Sequence, residues 1–191
     1  MAINLEKGNS INLVKEEPTL VNLRLGLGWD PVTEHTPFDL DSSAFICQHN
    51  TQGEPKLISD EHFVFYNNLK CPQGAVNHAG DNRTGDGSGD DEVIEINLTK
   101  LDPKVDEISL IVTIHEAESR KHNFGMLKNS YIKLYNQDTG KLIAQYNLGN
   151  DFDNETSVQF GSVFKENGQW TFQAIGAGYQ LGLADFVNGY Q

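Results

Sequence analysis

Val21-Asn22-Leu23-Arg24-Leu25-Gly26-Leu27-Gly28-Trp29 carries an apolar side chain at every second position, with Asn22, Arg24, Gly26 and Gly28 between them. A period of two marks a strand that buries one face and turns the other outward. Asp30-Pro31 ends the stretch, because proline has no N–H to give to a ladder, and a loop through His35 and Pro37 follows. Similar alternation predicts strands at Ser10 to Val14, from Phe38 to Ile46, through His62 to Tyr66, and at Val93 to Leu98 and Ile108 to Ile114. Further strands are expected at Tyr131 to Tyr135, Leu142 to Leu148, Val158 to Phe164 and Trp170 to Ala174, with Asn167-Gly168 as the hairpin joining the last two. Ala117 to Met126 reads as a polar helical turn or loop, and Gly178 to Gln191 as a short helix covering a sheet end. About ten short strands with minor helical segments predict an all-β fold, an antiparallel β-sandwich of two packed sheets. The gaps between strands are too short and too polar for the crossover helices of a parallel α/β fold.

The 191 residues suffice for one substantial core, and no shift in composition divides them, so residues 1–191 are expected to form a single domain. With 27 acids against 14 bases the formal charge is −13, which opposes nucleic acid and anionic membranes unless cations intervene. No apolar run approaches the roughly 18 residues that a transmembrane segment needs. Met1-Ala2-Ile3-Asn4-Leu5-Glu6-Lys7 lacks the basic then apolar pattern of a signal peptide, so a cytoplasmic protein is expected. Cys47 and Cys71 have no CxxC spacing and read as free thiols.

The chemistry concentrates in Gly80-Asp81-Asn82-Arg83-Thr84-Gly85-Asp86-Gly87-Ser88-Gly89-Asp90-Asp91-Glu92, where four glycines and five acids share thirteen positions. Carboxylates this close repel one another, and a hard divalent cation with six to eight oxygen ligands relieves that repulsion. An EF-hand frame starting at Asp86 fails, because Asp91 stands where the turn glycine belongs and Asn97 where the bidentate glutamate belongs. A phosphate-binding loop from Gly80 to Gly85 fails as well, since Asp86-Gly87 replaces the required Lys-Ser/Thr. The calcium nonapeptide frame over Gly87, Gly89, Asp91 and Val93 lacks a glycine and never repeats. A single acidic glycine loop remains, with Asp91 and Glu92 at the rim of the following strand.

Other oxygen donors fall at strand ends. Asp39 and Asp41 project together from the start of one strand, opposite Leu40, Ala44 and Ile46. Asp30 ends the strand before it, and Asn67-Asn68 follows Phe65-Tyr66, where amide oxygens serve either as uncharged ligands or as an Asx-turn. His115 reads as a structural histidine at a strand end. His35, His49, His62, His78 and His122 are scattered singly, without zinc spacing.

Gly26-Leu27-Gly28-Trp29-Asp30, Phe38-Asp39-Leu40-Asp41-Ser42-Ser43-Ala44-Phe45, Phe65-Tyr66-Asn67-Asn68-Leu69 and the loop from Gly80 to Glu92 together resemble the TerD family of bacterial tellurium-resistance and general stress proteins. The resemblance runs from Leu5-Glu6-Lys7-Gly8 to Gly176-Ala177-Gly178-Tyr179. It implies a calcium-binding β-sandwich, cytoplasmic, tied to stress resistance and without established catalysis. His115-Glu116-Ala117 departs from the family's usual His-Asp-Ala and keeps the carboxylate. Carried over position by position, the family's calcium site falls on Asp39, Asp41, Asn67, Asn68, Asp81, Asp90, Asp91 and Glu92. Eight side chains, together with carbonyls of the glycine loop, exceed the six to eight ligands of one ion, so two neighbouring Ca2+ ions are expected.

The leading expectation is a non-enzymatic calcium-binding protein of the response to tellurite and other chemical stress. It would work with other proteins of a stress-response complex, including one held at a membrane. The alternative is a calcium-dependent membrane- or ligand-binding module, in which the ion bridges the acidic loop to a headgroup or sugar. A metal hydrolase is the weakest reading, since the chain shows no nucleophile elbow and calcium acidifies bound water poorly.

Overall fold

The computed structural model describes residues 2–30, 38–81, 83, 89–127, 129–148 and 152–191. The loop through His35 and Pro37, and Asn82 with residues 84–88 of the acidic loop, lie outside the described residues. The described chain runs β1 (Ile3–Leu5), β2 (Ser10–Asn12), α1 (Leu13–Glu16), β3 (Asn22–Gly28), β4 (Leu40–His49), β5 (Pro55–Leu57), β6 (Phe63–Val64), β7 (Val76–His78) and β8 (Glu92–Asn97). It continues through β9 (Glu107–Ile114), α2 (Ala117–Arg120), β10 (Tyr131–Asn136), β11 (Lys141–Asn147), β12 (Ser157–Glu166), β13 (Gln169–Tyr179) and α3 (Leu183–Tyr190).

These strands make two sheets, one ordered β1-β11-β10-β3-β8-β7 and the other β2-β13-β12-β9-β4-β5, with β6 paired to β4 beside β5. The all-β sandwich is as expected. Leu23, Leu25 and Leu27 of β3 and Ile94 and Ile96 of β8 face the core from one sheet. Leu40, Ala44 and Ile46 of β4, with Ile108, Leu110 and Val112 of β9, face it from the other. Fully burying a side chain of this kind contributes roughly 1.5–3 kcal/mol, so the alternating apolar positions carry the fold. At Asn167-Gly168 both residues take positive φ (51° and 77°), the geometry that closes the β12–β13 hairpin with the right twist.

Four details depart from the sequence reading. The described chain has thirteen strands rather than about ten, the surplus being pieces of two or three residues such as β5, β6 and β7. One pair, β1 with β11, is parallel. The expected strand His62 to Tyr66 shrinks to β6, because Asp60–His62 forms a 3-10 turn and Asn68 Nδ2 donates to Phe63 O (2.6 Å), drawing the chain into a tight turn. Val14 falls in α1, which starts where Asn12 Oδ1 accepts from Lys15 N–H (3.0 Å).

The outer faces also differ from simple solvated surfaces. β4 is buried on both sides, since Phe45 and Cys47 pack with Phe63, Ile111 and Phe186 of α3. Rings stack there in sequence, Phe65 on Phe63 (4.2 Å between centroids), Phe63 on Phe45 (4.6 Å) and Phe45 on Tyr190 (4.4 Å). On the other sheet the outward positions Gly26 and Gly28 are covered too. A Cβ on Gly26 would stand 2.2 Å from the Asp90 carboxyl, and one on Gly28 would stand 2.4 Å from the Tyr131 ring.

Candidate metal centre

The start of β4, the end of β9 and the segments flanking β7 and β8 meet at one end of the sandwich. Leu40 pairs with Ile114 in the β4–β9 ladder, and His115 N–H donates to Asp39 O (2.8 Å), which fixes the backbone of Asp39 at the sheet end. Asp39 and Asp41 therefore project from one face of β4. Asp81, three residues beyond β7, approaches them from the other sheet's loop, and one carboxylate oxygen from each of the three lies within 4.8 Å of the others.

Asp39 is only 7% exposed, and its Oδ1 has no hydrogen-bond partner among the described residues. Burial, then the charge of Asp81, pushes its carboxyl above the ordinary range, against the opposing charges of His115, Arg120 and Arg83. Asp41 is pushed further, up to about 7, by burial and by the charges of Asp39 and Glu92, while His115, with Nδ1 3.4 Å from Asp41 Oδ2, opposes the shift. Three oxygen ligands that repel one another, one of them with an orphaned buried oxygen, match the donor chemistry of a hard cation such as calcium.

Glu92 sits behind this cluster. It occupies an inward position of β8 and reaches across the sandwich, where its Oε2 accepts from Ser42 N–H (2.5 Å) on β4. His78 Nδ1 accepts from Gly80 N–H (3.1 Å), which leaves the ring proton on Nε2, 3.1 Å from Ser42 Oγ and 3.5 Å from Glu92 Oε2. Glu92 Oε1 has no partner among the described residues.

The remaining sequence candidates are placed differently. Asp91 Oδ2 accepts from Trp29 N–H (2.9 Å), and burial raises its carboxyl despite that bond, with Asp90, Glu92 and Asp30 as like-charged neighbours. Asp90 lies on the outer face over Gly26 and is paired with Arg24 (2.7 Å). Asn68 Nδ2 donates to Phe63 O and Glu61 O within the turn, bonds that do not use its amide oxygen, and Asn67 stands exposed beside it. The described residues thus divide the acids into Asp39, Asp41 and Asp81 on one side and Asp90 and Asp91 on the other. Glu92 acts on a member of each group.

Sequence reading missed four neighbours of the cluster. Tyr66, Arg83, His115 and Arg120 line a cavity of about 290 Å3 together with Asp39, Asp41 and Asp81. Arg120 arrives through Glu116, whose left-handed backbone (φ 51°) reverses the chain after His115 and starts α2. A non-glycine residue held this way costs roughly 1–2 kcal/mol. Glu116 Oε2 also accepts from Arg120 Nε (3.1 Å) and Nη2 (3.0 Å). The His115-Glu116 pair was the available signal, but nothing in its spacing tied it to the acidic loop.

Known proteins share this architecture and sequence. Residues 1–190 match the TerD domain. The chain is 42% identical over 191 residues to "Tellurium resistance protein TerD" of Serratia marcescens, covering 100% of this chain and 97% of that protein. It is 41% identical over 192 residues to "General stress protein 16U" of Bacillus subtilis (strain 168), covering 100% and 97%. A crystal structure described as a homologue of telluride resistance protein (TerD) from Streptomyces coelicolor A3(2) shares the fold, with a TM-score of 0.71, 20% identity and coverage of 88% of this chain and 95% of that one. Sequence, architecture and length agree, and this chain belongs to the TerD family.

Proposed function

We propose that the protein is a non-enzymatic, calcium-binding component of a bacterial response to tellurite and other chemical stress, acting in the cytoplasm through calcium-dependent contacts with other proteins. The stress role follows the names of its relatives. The metal role is carried by the juxtaposition of Asp39, Asp41 and Asp81 around a common point, with the buried Asp39 Oδ1 lacking a hydrogen-bond partner among the described residues. Asp41, Asp39 and Asp81 would hold the ion, and Asp91 and Glu92 would contribute to a second one. The cation would neutralise the acids and hold the loop after β7 against the start of β4, creating a surface that exists only in the loaded state. No helix of the described residues is long and apolar enough to cross a membrane.

The test is expression of the chain in a tellurite-sensitive bacterial host, beside Asp39→Ala. Resistance conferred by the first and lost in the second, at equal protein level, is expected. Equal resistance from both would remove the metal site from the function.

A further inference from the structure

The cavity that holds the three carboxylates is also lined by cations. Arg83 and Arg120 share its 290 Å3 with Asp39, Asp41 and Asp81. We infer that the loaded site is a receptor for a phosphate group, held between the bound cation and the guanidinium groups of Arg83 and Arg120. This rests on the calcium reading above and names the ligand of that same site.

Coordination leaves room for such a ligand. One oxygen from each of the three carboxylates gives three donors, where calcium takes six to eight, and the open side of the cluster faces the cavity. Among the described residues Arg83 commits Nε to Asp81 Oδ2 (2.9 Å), and Arg120 commits Nε and Nη2 to Glu116 Oε2, so each keeps terminal N–H groups for a further acceptor. Charge points the same way. Without an ion, the two guanidinium groups partly offset the acids, and both act on Asp39. A divalent cation added to them offsets the three carboxylates and the Glu116 carboxylate paired with Arg120, so the loaded cavity no longer repels an oxyanion. Phosphate suits the place better than a carboxylate, because it presents three oxygens that bridge a metal and two forks at once.

The rest of the ligand has space. A second cavity of about 980 Å3 shares Asp41, Tyr66 and His115 with the first and extends past Lys121, Asn123 and Gln180 to Leu181. Its mixed polar lining fits the hydroxylated body of a phosphomonoester.

Calorimetric titration of the full chain tests this, using glycerol 3-phosphate as a soluble probe and phosphatidic acid vesicles, against phosphatidylcholine vesicles, as a lipid probe. The calcium titration is run first on the same sample. The expected result is calcium-dependent binding of the phosphate probe, weakened at least about tenfold by Arg83→Gln with Arg120→Gln, in a variant that still takes up calcium and melts normally. Binding of the soluble ester assigns the site to a free metabolite, and binding of phosphatidic acid alone assigns it to a lipid headgroup. Calcium uptake without binding of either probe, or phosphate binding that survives chelation or the double substitution, would overturn this inference and leave the calcium reading standing. Absence of calcium uptake would overturn both.

Discussion

Without metal, the protein should lose stability as pH rises, and Asp41 should be the main cause. Burial and the charges of Asp39 and Glu92 raise its carboxyl from the ordinary 3.8 to about 7 in the folded chain. A group with a raised folded pKa stabilises the fold while protonated. Its contribution is complete below 3.8 and is lost as pH climbs through about 7. At about 1.4 kcal/mol per pKa unit the shift sets a ceiling of about 4 kcal/mol. Water at the cleft mouth and protons shared among neighbouring carboxylates reduce that to about 2 kcal/mol. Asp39 and Asp91 are raised too and act in the same direction. Glu17, lowered by its pairing with Lys141, acts in the opposite sense, but it titrates near and below its ordinary 4.5 and lies outside this window. About half of that loss falls between pH 5.5 and 8, so at roughly 2–4 °C per kcal/mol for a chain of this size the melting temperature in chelator should fall by about 2–4 °C across that range. Calcium should abolish the slope, because the ion favours the charged form. Asp41→Asn should flatten it in chelator and make the metal-free variant the more stable protein at pH 8. Thermal melts followed by circular dichroism across that range decide the matter. A chelated wild-type protein whose melting temperature is flat or rises with pH, or an Asp41→Asn variant that keeps the slope, would refute the reasoning.

Other consequences follow from the packing and the ion. Saturating calcium at about 100 times its dissociation constant should contribute roughly 2.7 kcal/mol per site, a rise of about 5–11 °C in melting temperature, with magnesium doing much less; an unchanged melt would count against a native-state site. Chelation should quicken hydrogen exchange around Asp39 and Asp81 and leave the β12–β13 hairpin protected, whereas global loss of protection would make the metal part of the core. Phe45→Ala, at a fully buried ring stacked between Phe63 and Tyr190, should cost about 3–5 kcal/mol in denaturant unfolding without changing calcium affinity. Asn68→Ala should cost about 1–2 kcal/mol through the lost turn bonds, and calcium affinity would drop with it only if Asn68 were a ligand.

The period of two in β3, β8 and β9 made the sandwich legible, since a one-residue slip would have turned Leu23, Leu25 and Leu27 to the outside. The tail helix was legible as well, from Leu183, Phe186 and Val187. What the period could not show was the covering of the outer faces. Asp90 resting on Gly26 and Phe186 resting against Phe45 are contacts between segments far apart in sequence. For the same reason the acidic loop pointed to a cation site without revealing which distant residues would join it. Asp39 and Asp41 were found because strand alternation puts them side by side. Asp90, placed in the ligand set by the family resemblance, is paired with Arg24, and local spacing carries no trace of that pair. Arg120 reaches the cluster only through the left-handed turn at Glu116, a backbone state that a glutamate does not advertise.

The central claim is that Asp39, Asp41 and Asp81 bind calcium, and the most direct measurement is calorimetric titration of the chelated protein with calcium and then with magnesium. The all-oxygen donor set predicts calcium uptake with magnesium far weaker, loss of at least about tenfold in affinity on Asp39→Ala or Asp81→Ala, and no change on Asp102→Ala, in a turn away from the cluster. No heat with either ion, equal affinity for both, or equal effects of all three substitutions would contradict it.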